Sequence, residues 1–248
     1  MIYSPPRYIQ FFPSFGCDRE CKFCFNKDII PNRVAAPDEF AFMLQRMAKG
    51  GIFELDILGG EPTLYPHLEH LVDTALGNKI KVFLSSNGLD TNLLIRILGK
   101  NHNRNFLNIG ISLNDSELSD ELYDFISFEK PFIKSVVTKD RVLPESAKLI
   151  LQNPEITYYL LFMDALTKAD LDISFPFPEF FRIFEEIRKR FKNTKPIYCE
   201  GFLSSTSTAQ YRCPAGTAKI SVMPDGSVYP CYLFLWFISN LVANILKK

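Results

Sequence analysis

Six times within the first 191 residues, a short apolar run is followed by a longer amphipathic segment. No other feature constrains the fold as tightly. The runs are "YIQFF" (8–12), "IFELDIL" (52–58), "IKVFLSS" (80–86), "FLNIGISL" (106–113), "FIKSVVT" (132–138) and "ITYYLLFM" (156–163). Their length and their β-branched and aromatic content predict strands. The segments 38–51, 67–76, 91–100, 116–126, 144–153 and 178–191 carry helical periodicity, and Gly50 and Gly51 stop the first of them. Six βα units in succession predict an α/β chain with a parallel sheet and helices outside it. The nearly continuous apolar runs predict strands buried on both faces. Right-handed crossovers leave a barrel or an open twisted sheet, and six units fall short of a closed eightfold barrel.

With 248 residues, 47% of them hydrophobic, the chain can bury a large core. Lys plus Arg and Asp plus Glu number 28 each, so charge gives no reason to expect nucleic acid or an anionic membrane as partner. "MIYSPPRYIQ" lacks a basic region followed by an apolar run, so no secretory signal is expected. The apolar stretch Tyr232–Leu246 is short for a membrane span and contains Ser239, Asn240 and Asn244. The expected location is therefore cytoplasmic, where thiols stay reduced. The six cysteines then read as metal ligands, catalytic groups or small buried hydrophobes rather than disulfides.

Three of them, Cys17, Cys21 and Cys24, lie in "GCDRECKFCF" directly after the first strand. Parallel α/β folds build their sites at that end of a strand. Three thiolates on one loop can converge on one metal centre. Zinc sites commonly pair two C-x-x-C elements, and no second pair is present. A four-iron cubane held by three cysteines keeps one iron open for a ligand. A structural zinc ion or unrelated cysteines are the plainer alternatives.

Further motifs follow in order. "GGEP" (Gly59, Gly60, Glu61, Pro62) ends the second run, "SSNG" (85–88) the third and "GISLN" (110–114) the fourth. Taken together, Cys17-x3-Cys21-x2-Cys24 with Phe23 before the last cysteine, and these three strand ends, resemble the radical S-adenosylmethionine (SAM) superfamily over about residues 8–165. The resemblance implies a partial (β/α)6 TIM-like barrel and a [4Fe–4S] cluster on Cys17, Cys21 and Cys24. It implies SAM contacts from Phe23, Gly59, Gly60, Glu61, Pro62, Ser86, Asn87, Ser112 and Asn114. The superfamily commonly has Asp where this chain has Asn114. Each motif also has a plain reading: a helix start with Pro62 at its first position, an Asn-Gly turn, and a strand-end Ser112 hydroxyl capping the next helix.

Composition changes after about residue 193. "CPAGTAKISVMPDGSVYPC" (213–231) predicts a hairpin turning at Asp225-Gly226. The run is similar to the first half of a SPASM/Twitch extension. That similarity implies an auxiliary iron–sulfur cluster on Cys199, Cys213 and Cys231. A zinc site, reduced structural thiols or a degenerate remnant are the alternatives. No cysteine follows Cys231, and "VANI" (242–245) has Ala243 where the extension often has glycine. The expectation is a shortened or incomplete extension. The domains expected are a core at 1–195 and a small hairpin/helix extension at 196–248.

The function implied is reductive cleavage of SAM at the cluster. It yields a 5′-deoxyadenosyl radical that abstracts hydrogen from a peptide, protein or small molecule, as in oxidoreductases or maturases of this superfamily. Flavodoxin or ferredoxin is the expected reductant. The alternatives are a non-catalytic iron–sulfur electron carrier or redox sensor, or an inactive truncated homologue; SAM-binding motifs have no use in a plain electron carrier. No catalytic acid, base or radical-donor side chain stands out. His67, His70 and His102 read as surface or helix-start residues. The 23 phenylalanines read as core packing.

Overall fold

The computed structural model describes residues 6–26, 29, 33–100, 105–114, 117–199, 213 and 215–235. All six expected strands are present: β1 (Tyr8–Phe11), β2 (Glu54–Ile57), β3 (Lys81–Ser86), β4 (Leu107–Ser112), β5 (Phe132–Val137) and β6 (Tyr158–Phe162). So are the six helices: α1 (Pro37–Lys49), α2 (Leu68–Gly77), α3 (Thr91–Lys100), α4 (Asp120–Glu129), α5 (Glu145–Leu151) and α7 (Phe177–Arg190). The short α6 (Lys168–Ile173) and the strand β7 (Thr194–Ile197) were not anticipated, and the helix start read at Pro62 is a 3-10 turn, Pro62–Leu64. The expected hairpin forms from β8 (Lys219–Val222) and β9 (Val228–Tyr229). At its tip Gly226 has φ +80°, and its N–H donates to Met223 O at 3.0 Å.

Strand order is β7-β6-β5-β4-β3-β2-β1-β8-β9, so the sheet has two ends and is not closed. The pairs β1–β2, β2–β3, β4–β5, β5–β6, β6–β7 and β1–β8 are parallel, and β8–β9 is antiparallel. The chain divides into two compact units: residues 1–86, 92–108 and 214–248, and residues 87–91 and 109–213.

In the first unit β1 lies between β2 and β8, with Phe11 in register with both Ile57 and Val222. Pro37 opens α1 and the Glu39 carboxylate accepts the Ala36 N–H at 2.9 Å, which fixes the helix start. Phe40, Leu44 and Met47 of α1 and Leu68, Leu71 and Val72 of α2 are buried with Leu55, Ile57, Val82 and Leu84 of the strands. Each such side chain contributes about 1.5–3 kcal/mol when fully removed from water. The edge-on pairing of β8 with β1 brings a segment from the C-terminal region into the sheet that carries the cysteine loop.

In the second unit Ser119 caps α4 by accepting the Leu122 N–H at 3.2 Å. Phe177, Phe180 and Phe184 of α7 are buried, and Phe177 and Phe180 meet Phe162 of β6 edge-on at 5.4 and 5.3 Å. Burial along β5 alternates strictly: Ile133, Ser135 and Val137 are buried, while Phe132, Lys134 and Val136 are half-exposed. The expectation of strands covered on both faces therefore fails here. One face of β5 is buried and the other retains solvent.

The loop 205–208, His102, "VANI" and the end of the apolar stretch after residue 235 lie outside the described residues. Among the described residues no helix is long and apolar enough to cross a membrane.

Candidate cofactor site

The cysteine loop leaves β1 at Phe12 and is tied at both ends to "GGEP". Leu58 N–H donates to Phe11 O at 2.9 Å, Gly60 N–H to Ser14 O at 3.0 Å and Glu61 N–H to Gly16 O at 2.7 Å. At the far end Asn26 Nδ2 donates to Gly59 O at 2.6 Å. The backbones run so close that a Cβ on Gly59 would lie 2.3 Å from Ser14 O, and one on Gly60 would lie 2.0 Å from Gly16 O. Gly59 also has φ +130°. The two glycines are required by this approach, a reason the sequence alone did not reveal.

Within the loop, Cys24 N–H donates to Cys21 O at 3.0 Å, closing a turn between the last two cysteines. Cys17 is exposed, Cys21 and Cys24 are half-buried, and none is in a disulfide. Among the described residues no three His, Cys, Asp or Glu side chains stand together at metal-holding separation. The donor chemistry nevertheless suits an iron–sulfur cluster. Three thiols on one short loop, docked at both ends, offer three ligands with little further ordering of the backbone.

Glu61 is only 3% exposed. Its Oε1 accepts from Thr63 N–H at 3.0 Å, Thr63 Oγ1 at 2.8 Å and Ser86 Oγ at 2.8 Å. The carboxylate thus starts the 3-10 turn with Pro62 at its first position and holds the end of β3. The plain reading of "GGEP" as a helix-start turn is realised, and it also orients Glu61. Tyr65 follows that turn and donates its hydroxyl to Ala35 O at 2.7 Å. Burial, with a smaller contribution from the Glu39 charge, pushes this phenol up to about 12.

Phe23 is half-buried on the cysteine loop. The aromatic cluster of this region uses its neighbours instead. Phe25 stacks on Tyr232 with centroids 4.3 Å apart, and both meet Phe12, at 6.5 and 6.4 Å. Tyr232 directly follows Cys231, so the end of the hairpin is anchored beside the residue that follows Cys24. Cys231 is half-buried. Cys199 (half-buried) and Cys213 (exposed) belong to the other unit.

Also in the second unit, Asn87 Oδ1 accepts the Leu89 N–H at 2.9 Å, an Asx turn that completes "SSNG" with Gly88 at φ +77°. Asn114 Oδ1 accepts the Val136 N–H at 2.9 Å, which latches the end of β4 to β5. Ser112, half-buried, ends β4 in register with Lys134. Sequence reasoning missed Asn26, Phe25 and Tyr232. Only Asn26 carried a signal, a polar residue two positions after the last cysteine.

Asn26→Ala should leave the Gly59 carbonyl without this donor, at a cost of about 1–3 kcal/mol. Asn26→Asp should be worse, because it sets an acceptor against the carbonyl. The reconstituted variants should lose iron to a chelator several-fold faster than the parent; equal retention would show that this bond does not hold the loop.

The Radical SAM superfamily model matches residues 11–131. Over 72 residues the chain is 31% identical to an S-adenosylmethionine-dependent nucleotide dehydratase of Thermoplasmatales archaeon (strain ISO4-H5), covering 29% of this chain and 26% of that protein. Among solved structures, Streptococcus suis SuiB bound to S-adenosylmethionine superposes with TM-score 0.76 at 22% identity, over 94% of this chain and 61% of SuiB. SuiB bound to its precursor peptide SuiA gives TM-score 0.79 at 20% identity, with the same coverage. anSMEcpe with bound AdoMet and Kp18Cys peptide gives 0.62 at 19% identity, over 92% of this chain and 75% of that one. The structural likenesses establish the fold. The chain spans about a quarter of the curated relative and less than two thirds of SuiB.

Proposed function

We propose that this chain, which carries a radical SAM superfamily domain over residues 11–131, cleaves SAM reductively to a 5′-deoxyadenosyl radical that abstracts hydrogen from a peptide or small molecule. Proteins of this superfamily use a [4Fe–4S] cluster and SAM. The observation that carries the reading is the docking of the three-cysteine loop onto "GGEP" by backbone hydrogen bonds from Gly60 and Glu61, with the Asn26 side chain closing the far end.

In this reading Cys17, Cys21 and Cys24 hold the cluster, and the "GGEP" backbone with Glu61 receives the ammonium of SAM, as a buried carboxylate is suited to do. Phe23 is assigned to the adenine. Ser86 positions Glu61 through its 2.8 Å hydrogen bond. Asn87 shapes the turn after β3, and Asn114 fixes the strand end that bears Ser112. When bound, the cluster and SAM supply the electron transfer and C–S cleavage. An electron donor such as flavodoxin or ferredoxin is required. For the substrate, SuiB and anSMEcpe structures hold peptides, and the curated relative is named for a nucleotide.

The test is anaerobic reconstitution followed by reduction with dithionite in the presence of SAM. The parent should release 5′-deoxyadenosine; none, from a chain loaded with iron and sulfide, would overturn the reading. The same preparation tests the auxiliary cluster on Cys199, Cys213 and Cys231. One four-iron cluster gives about four irons per chain and two give about eight. A Cys213→Ala/Cys231→Ala variant should hold about four fewer irons than the parent; equal iron would make these cysteines a remnant.

A further inference from the structure

We infer that the open face of β4–β7 binds an anionic group of the substrate, phosphate or carboxylate, through a row of residues running across β5, β6 and β7. The row is Lys134, Tyr159 and Lys195, each in register with the next, and it starts beside Ser112 of β4, the residue the resemblance gives to SAM. Register partners in parallel strands present their side chains to the same face. These four strands, "LNIGIS", "FIKSVV", "YYLLF" and "TKPI", contain two charged residues, and both are the lysines of this row. They sit on the half-exposed side of the alternation, opposite the buried Ile133, Ser135 and Val137.

Two strand spacings separate Lys134 from Lys195, about 10 Å between their backbones. Two four-carbon stems reach across that gap to one anion, or bracket a longer one, with the Tyr159 phenol between them as a hydrogen-bond donor. Aromatic rings hold the ammonium groups over this face: Lys134 Nζ lies 5.7 Å from the Phe132 ring centre and Lys195 Nζ lies 6.0 Å from that of Tyr159. The next row on the same face is apolar, Val136, Leu161 and Ile197 in register, and Ile197 is 42% exposed. The face therefore suits an amphipathic ligand, with anionic oxygens on the lysine row and a carbon skeleton on the row beyond. A lysine on the terminal strand β7 could serve only to keep that edge from pairing. Lys134 is not on an edge, so that role does not account for the row.

This deepens the proposed function and rests on it for calling the bound group the substrate's. The test is calorimetric titration of the full reconstituted chain with tripolyphosphate and, in a second arm, tricarballylate. At least one should bind, and the arm that binds identifies phosphate or carboxylate. Affinity should fall about tenfold or more in Lys134→Gln/Lys195→Gln and largely return in Lys134→Arg/Lys195→Arg. Binding of neither anion overturns the inference, as does equal binding by the Gln variant. A Gln variant that loses SAM affinity while keeping anion affinity also overturns it, because the row would then serve SAM. SAM cleavage by the parent is measured on the same preparation. A parent that binds anion through the row and cleaves no SAM sinks the proposed function alone; one that cleaves SAM and binds no anion sinks the row alone.

Discussion

A Cys21→Ala chain should release no 5′-deoxyadenosine above background after reconstitution, and the Cys17/Cys21/Cys24 triple alanine variant should lose about four irons per chain relative to the parent. The expectation follows from the loop. Its three thiols are the ligands offered between Phe12 and Asn26, and the turn joining Cys21 to Cys24 is set by a backbone bond that alanine leaves intact. The substitution therefore removes a ligand without removing the loop. An unchanged far-UV spectrum alongside lost turnover would localise the damage to the ligand. Normal SAM cleavage by Cys21→Ala would remove the cluster assignment altogether.

Gly60→Ala should be nearly as harmful without touching a ligand. The added methyl would meet Gly16 O at 2.0 Å, with Gly16 C and Phe15 O at 2.5 Å. All three are backbone atoms, so no side chain can swing aside. The cysteine loop must lift from "GGEP", breaking the 3.0 and 2.7 Å bonds to Ser14 O and Gly16 O. Overpacking against backbone costs about 3 kcal/mol or more, a fall in Tm of about 6–12 °C for a chain of this size. SAM turnover should fall with it. Gly77→Ala is the control: nothing lies within 4 Å of an added Cβ, and at the last position of α2 the change should be neutral or slightly stabilising. A Gly60→Ala chain that melts and turns over like the Gly77→Ala control would refute the docking.

The sequence reading found the βα alternation because strand and helix periods differ, and it found the cysteine loop and "GGEP" because both follow strands. The hairpin was legible from Asp225-Gly226, a two-residue turn signal. What it missed has a common physical character. Asn26 to Gly59, Phe25 to Tyr232 and β8 to β1 are long-range pairings, and a local pattern carries no information about distant partners. The half-open face of β5 was missed for another reason. Lys134 is the one charged residue in "FIKSVVT", and one charge is too weak a signal against a run of Val, Ile and Phe. The roles of Gly59 and Gly60 depended on where Ser14 and Gly16 would fall, which only the fold supplies.

The pairing of β1 with β8 also sets an order of assembly. Gln10 and Ser221, which share a hydrogen bond across these strands, are 211 positions apart. At ribosomal speeds of about 5–20 residues per second, β1 waits about 10–40 s after its own synthesis for that neighbour. Through that interval the strand from which the cysteine loop hangs keeps one bare edge, and Phe25 awaits the ring of Tyr232. The strand that bears the cysteine loop is therefore made long before the strand that covers its edge.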